Sequence, residues 1–186
     1  MGVEIETSRL ILRPWAEGDI DPLVQGLNDL ALAKWLAFVP HPYRVSDAEN
    51  WIKRCRNLSS ASRSPTEYEF AVVHKTTHRL IGGVNLNKID REAGAAGGGI
   101  WIAAPYQGQG CGREAFAAKI RFAFDELRLT KLINGYFDGN DRSWAMQQSL
   151  GYRRVGKVAS RCLADGRQTI EHVTALLRSD WEEREA

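Results

Sequence analysis

Residues 105–116 read PYQGQGCGREAF, with Gly108, Gly110 and Gly112 at alternate positions and a helical pattern directly behind them. The first N–H groups of a helix have no partner inside it, and they point with the helix dipole at one spot. Glycine admits the positive φ values and the close approach that let such a backbone cradle a phosphate. The plain alternative is a tight turn that needs small residues for packing, and a glycine cluster alone does not separate the two.

The kind of phosphate can be narrowed. No G-K-[ST] follows the glycines, so the loop is not a Walker A loop. A dinucleotide fingerprint fits better on paper: Gly110 to Ala115 reads G-x-G-x-x-A, and the next strand ends in Asp138, where a ribose contact would sit. Three features oppose it. Ala104-Pro105-Tyr106-Gln107 separate the strand from the fingerprint, a long antiparallel-looking meander precedes it, and too little chain follows for a doubly wound sheet.

Other reactive residues are scattered. Asn140 or Asp141 reads as a helix N-cap, with Ser143 in the first turn behind Asn140. Tyr136 and Asp138 lie on the strand before that cap, and neither is assigned a role. His74 and His78 are four apart, but they flank Lys-Thr-Thr, so they read as the ends of a hairpin and no metal is expected. The cysteines, Cys55, Cys111 and Cys162, are odd in number and widely spaced, so neither a disulfide framework nor a zinc site is expected. Cys111 sits inside the loop, where the dipole favours a thiolate, yet a small residue that fits is the simpler reading.

The elements that must position these groups follow from periodicity. Residues 3–14 read as a first strand, with Leu10 and Leu12 on one face. Residues 17–36 read as one or two short helices with Leu23, Leu27, Leu30 and Leu32 in the core. Ser46-x-x-Glu49 reads as a capping box ahead of a helix with Trp51, Ile52, Cys55 and Leu58 on its apolar stripe, closed by 59–65. Strands are expected at 67–74 and 80–89, joined by a KTTH turn, and at 98–103 after a glycine-rich approach. The helix behind the loop turns Phe116, Ile120, Ala123, Phe124 and Leu127 to the core and Lys119 elsewhere. A strand at 131–138, a helix at 141–150 with Gly151 behind it, and strands at 152–161 and 169–177 around Asp165-Gly166 complete the order. That order is a mixed α+β sheet with helices on its faces.

Composition sets outer bounds. The chain has 186 residues, 44% of them apolar, which suits one globular domain with a real core. A net charge of +2 gives no field for nucleic acid or an anionic membrane, and the basic cluster Lys53, Arg54, Arg56 reads as a solvated helix face. The start, MGVEIETSRL, lacks the apolar stretch of a signal peptide, and Glu6 stands where a myristoylation motif wants Ser or Thr. No apolar run approaches the length of a membrane span. A cytoplasmic location is expected. An exposed sheet edge or the last two strands offer a place for a homodimer, but no residue pattern demands one.

Gln107 to Gly112 also match [Q/R]-x-x-G-x-[G/A], the acyl-CoA pyrophosphate loop of the GNAT acetyltransferase superfamily. SRLILRPW (8–15), GIWIAAPYQGQGCGREA (99–115), NDRSWAMQQSLGY (140–152) and HVTALLRSDW (172–181) resemble the RimJ/RimL-like branch, the ribosomal-protein-alanine N-acetyltransferases, in the expected order. The resemblance implies a GNAT-type fold over 1–186: a mostly antiparallel sheet, two central strands splayed apart, helices on both faces. It implies acetyl-CoA as co-substrate, with the acetyl group passing directly to an amine in a ternary complex.

Residue by residue, the resemblance puts Gln107, Gly108, Gln109, Gly110, Cys111, Gly112 and Arg113 around the pyrophosphate. It gives the pantetheine arm to the backbone of Ile100, Trp101 and Ile102 and to Asn140, and sets Ser143 beside the CoA sulfur. It leaves the general base unnamed, because the glutamate that some relatives carry five residues before the Asn is here Gly135. A tyrosine that many members carry is here Gln147. The acceptor is a peptide or protein N-terminus or a small amine, with Trp35, Phe38, Trp51 and Trp101 as candidate walls. Those two departures keep open a non-catalytic acyl-CoA sensor.

Overall fold

The computed structural model describes residues 2–61 and 64–185. Strands β1 (Ile5–Glu6) and β2 (Leu10–Pro14) lead into helices α1 (Ile20–Leu27), α2 (Leu30–Ala33) and α3 (Val45–Ala61). The meander β3 (Tyr68–His74), β4 (Leu80–Asp90), β5 (Ala95–Gly97) and β6 (Ile100–Ile102) follows. Then come α4 (Cys111–Arg121), a π turn at Phe122–Glu126, and β7 (Lys131–Phe137). The chain continues through α5 (Asp141–Ser149), β8 (Arg153–Arg161), β9 (Gln168–Leu177) and α6 (Arg178–Glu185).

The strands lie in the order β1-β2-β3-β4-β5-β7-β9-β8, with β6 beside β5 along β4. Among the described residues every ladder is antiparallel except β5 with β7, so this is not a doubly wound parallel sheet. Helix α4 covers one face. Leu10, Leu12, Phe70, Val72, Val84 and Leu86 alternate along their strands to meet it, as period-two patterning requires. Helices α1 to α3 cover the other face over β2 to β4, around Trp15, Leu23, Leu27, Ile52 and Ala71.

Several expectations are corrected. The first strand breaks at Thr7–Arg9, where the Thr7 N–H turns back to the Leu10 carbonyl. The strand expected at 98–103 shortens to Ile100–Ile102, and a separate strand, Ala95–Gly97, stands in the expected glycine-rich approach, with Gly98-Gly99 between the two. Helix α3 starts one residue before Ser46, and its first turn is closed by Asp47, which accepts from the Arg44 N–H at 2.8 Å, so there is no Ser46/Glu49 box. Leu30 opens α2 and stays 46% exposed, because α2 is a single turn that buries only Leu32 and Ala33. Of the segment 59–65, residues 62 and 63 lie outside the described residues.

Lys119 is the largest correction, for it is fully buried. One apolar stripe does not describe α4, because α5 and α6 also lean on it: Arg113 reaches Ser149, and Arg121 stacks over Trp181. The Lys119 ammonium lies 3.7 Å over the Phe116 ring and has no hydrogen-bond partner among the described residues. Burial pulls it down to about 7. The unfolded chain keeps that proton up to about 10.5, so it binds more protons than the folded state across this window. Stability therefore rises with pH between about 7 and 10.5. Lys119→Met should abolish that slope and raise stability at pH 7 by about 1–3 kcal/mol, read by urea unfolding across the range.

Candidate functional site

The site begins with a gap in the sheet. β5 pairs with β7 only at Ala95↔Lys131 and Ala96↔Leu132. Beyond that, β6 is held by β4 through Gly82↔Ile102, Gly83↔Trp101 and Val84↔Ile100, and no ladder joins it to β7 among the described residues. Gly98 causes the divergence. Its φ is +147°, and a Cβ there would lie 2.1 Å from the Asn85 carbonyl oxygen. Asn85 accepts from the Gly99 N–H through Oδ1 at 2.6 Å, which draws that N–H onto a side chain. Asn134 on β7 reaches across to the Gly98 carbonyl at the mouth of the gap.

The glycine turn lies at one end of the gap. Gly108 and Gly110 have φ of +74° and +81°, and Gly110 is the N-cap of α4. The Gln107 N–H is taken by the Ala104 carbonyl, but those from Gly108 to Arg113 have no carbonyl partner among the described residues. Both glutamines brace the turn with their side chains. Gln107 donates to the Ile102 carbonyl and Gln109 to the Pro105 carbonyl, each at 2.8 Å. The glutamine side chains are thus engaged by the turn itself, and its backbone N–H groups from Gly108 to Arg113 are left unpaired among the described residues. Cys111 is buried, as a packing residue would be, and Arg113 is exposed with its Nε on Ser149 Oγ.

A clamp that sequence reasoning missed holds this turn. Arg9 donates from Nη1 to the Gln109 carbonyl at 2.8 Å and from Nε to Glu114 at 2.6 Å. Glu114 also accepts from the Thr7 and Ser8 hydroxyls and from the Arg9 N–H. The signal for it in the sequence is the polar TSR run, residues 7–9, inside the expected strand 3–14 and between β1 and β2 in the structure.

Asn140 caps α5, accepting from the Ser143 N–H through Oδ1 at 3.2 Å. Behind it sits Gln147, which is 2% exposed. Its Nε2 donates to Ser143 Oγ at 3.1 Å and to the Gly135 carbonyl at 3.4 Å, while Oε1 accepts from Thr174 at 2.6 Å. The Gly135 carbonyl can only accept, so the amide nitrogen must be at that end. Ser143 Oγ therefore accepts a hydrogen bond and keeps its own proton free to donate. The start of α5 meets the glycine turn here, with Arg142 on the Gln107 side chain at 3.3 Å. These bonds link Ile102, the turn at Gln107, the start of α5 at Ser143 and Gly135 around one gap, while the Arg113 side chain turns to Ser149 at the far end of α5.

Tyr136 and Asp138 are both engaged elsewhere. Asp138 pairs with His172 at 2.7 Å, and Tyr136 stacks on His172 at 4.9 Å while accepting from Arg154. On the other face, Trp101 packs where Gly26 and Gly83 lack side chains. Trp35 lies against Gly139 and stacks with Arg167, Phe38 is 90% exposed, and Trp51 stacks with Arg54 on α3. Arg54 itself pairs with Glu67, so the basic face of α3 is not merely solvated. Burial raises the Glu69 carboxyl to about 7, against the pull of the Asn85 hydrogen bond and the Arg54 charge.

Burial also pushes the Glu114 carboxyl up, but the hydrogen bonds from Thr7, Arg9 and Ser8 outweigh it and hold the group at about 2. The clamp's contribution is complete above the unfolded value of about 4.5 and fades as pH falls toward 2. Glu114→Gln should lower stability at pH 7 by about 2 kcal/mol and flatten the acid limb of the stability curve, read by urea unfolding.

Residues 9–153 match the acetyltransferase (GNAT) domain family. The chain is 25% identical over 132 residues to the alanine N-acetyltransferase of ribosomal protein uS5 in Escherichia coli, covering 70% of this chain and 68% of that one. The ribosomal-protein-S5-alanine acetyltransferase of Vibrio fischeri superposes with a TM-score of 0.81 at 24% identity, covering 96% of this chain and 98% of that one. Spermidine N-acetyltransferase of Vibrio cholerae, solved with CoA and spermine, gives 0.78 at 21% identity over 95% and 99% of the two chains. With a splayed sheet, a glycine turn at a helix start and a family match over most of its length, the chain belongs to the GNAT acetyltransferase family.

Proposed function

We propose that residues 1–186 act as one acyl-CoA N-acyltransferase domain, moving an acetyl group from acetyl-CoA to a primary amine by direct attack in a ternary complex. The observation that carries this is an open strand edge beside an unpaired helix N-terminus. An extended, amide-bearing arm suits the edge of β6, and a pyrophosphate suits the N–H groups from Gly108 to Arg113. Arg113 adds positive charge. The Asn140 cap uses Oδ1 alone, which leaves Nδ2 for the arm.

In this reading a backbone N–H of Ile100–Ile102 meets the thioester oxygen. That oxygen gains charge as the amine attacks, so a fixed donor stabilises the transition state more than the substrate. As the C–S bond breaks, the free Ser143 proton meets the leaving sulfur. The acceptor approaches from the face walled by α1 to α3. It is an amine of a peptide or protein N-terminus, or a small amine. The vibrio proteins named above fit either class at the level of fold. Three free cysteines suit a cytoplasmic location, and the chemistry needs no metal.

Acetyl-CoA should bind saturably in calorimetry while NADH gives no heat. Gly112→Asp should weaken acetyl-CoA about 100-fold, because a carboxylate would meet a phosphate. Gly112→Ala is the control: its Cβ would contact Ile102 and Met146 at 3.5 and 3.7 Å, which is ordinary packing. Ser143→Ala should lower kcat about 100-fold at unchanged acetyl-CoA affinity. Binding without CoA release on a panel of peptides and polyamines would leave a sensor instead of an enzyme.

A further inference from the structure

Strand β7 carries a second feature at Gly135, on the face opposite Ser143. In the β7–β9 ladder Gly135 pairs with Val173 and Phe137 with Glu171, so the side chain of Glu171 leaves the sheet on the face toward which a side chain at 135 would point. Glu171 leans back along that face over the glycine. A Cβ added at residue 135 would lie 2.1 Å from Glu171 Oε1 and 2.9 Å from its carboxyl carbon. The missing side chain at 135 is what gives the carboxylate its place. The carboxylate makes no hydrogen bond or ion pair to any described residue.

The position matters because Gly135 also anchors the other half of the site. Its carbonyl accepts from the Gln147 amide, which in turn holds Ser143 on the α5 side. Past Leu132, β7 borders the gap beside β6. Ser143 and Glu171 therefore flank the same strand residue from opposite faces, next to the same opening. If acetyl-CoA is anchored at the α4 and α5 N-termini, the acceptor must reach the thioester from the Glu171 side. That side is walled by α1 to α3 and Trp101 and stays open over Ile133, which is 39% exposed. The other carboxylates nearby are engaged: Asp138 by His172, and Glu69 by Asn85 two strands away from the gap.

We propose that Glu171 is the base of the transfer, delivering from β9 a carboxylate to the place that Gly135 leaves empty on β7; this rests on the acetyltransferase reading. The acceptor arrives as an ammonium and gives one proton to the Glu171 carboxylate. The freed nitrogen lone pair attacks the thioester carbon and a C–N bond forms. The C–S bond breaks, its electron pair leaves on sulfur, and the second nitrogen proton reaches that sulfur through Ser143. Amide, CoA thiol and one proton, shed from Glu171 to solvent, are the products.

The test uses the full chain with acetyl-CoA and a panel of peptide N-termini and polyamines. Glu171→Gln keeps the shape and removes the base, and should lower kcat about 100-fold or more at unchanged acetyl-CoA affinity. Combining Glu171→Ala with Gly135→Glu moves the carboxylate across to the vacated position and should recover about tenfold over Glu171→Ala alone, a rescue no structural role would show. A Glu171→Gln enzyme as fast as wild type, or one whose acetyl-CoA affinity falls in step with kcat, overturns the assignment alone. A wild-type protein that binds acetyl-CoA and acetylates no amine overturns the transferase reading and the base with it.

Discussion

The contact between Gly98 and the Asn85 carbonyl forces the sheet apart. At a φ of +147°, with no space for a Cβ, Gly98 turns the chain away from the line of β5. β6 stays on β4, β7 stays on β9, and the edges between them are left unpaired. Unpaired strand edges are elsewhere a liability that proteins cover or charge. Here the edge opens beside a helix start, so the same geometry that costs ladder hydrogen bonds leaves strand and helix donors unpaired side by side among the described residues. Asn85 and Asn134 satisfy backbone groups at the bend itself, which keeps the gap from closing by slippage.

Around that gap the protein relies on fixed dipoles and on groups pinned by others. The glycine turn has no lysine; its unpaired donors are backbone N–H groups, and Arg9 and Glu114 hold the turn from behind. Each bond of this half-exposed network is worth little, but five of them converge on Arg9 and Glu114, so together they enforce one geometry. Gln147 shows the same economy. A tyrosine at its place would carry its own proton, whereas the amide orders a serine and frees the proton of that serine.

Much of this was legible in the chain. The period-two runs of β2, β3 and β4, the glycine turn before α4 and the Asn cap of α5 are local signals, set by neighbours a few residues away. The errors were local signals overruled by packing. Ser46 and Glu49 form a valid capping pattern, but the helix begins earlier, where Asp47 reaches Arg44. Lys119 falls outside the apolar stripe of α4 and is buried all the same, because two more helices close over that side.

By itself, then, the sequence determined most of the elements, their order and the glycine turn before α4, since each depends on short-range periodicity and backbone preference. It determined the family through the order of its motifs. Only the tertiary structure decided which polar groups serve one another. Arg9 meets Glu114 across 105 residues, Gln147 meets Thr174 across 27, and Glu171 lies over Gly135. Those meetings depend on sheet register and on where a strand lacks a side chain. A position that looks empty in the chain, as Gly135 does, is filled in space by its neighbour.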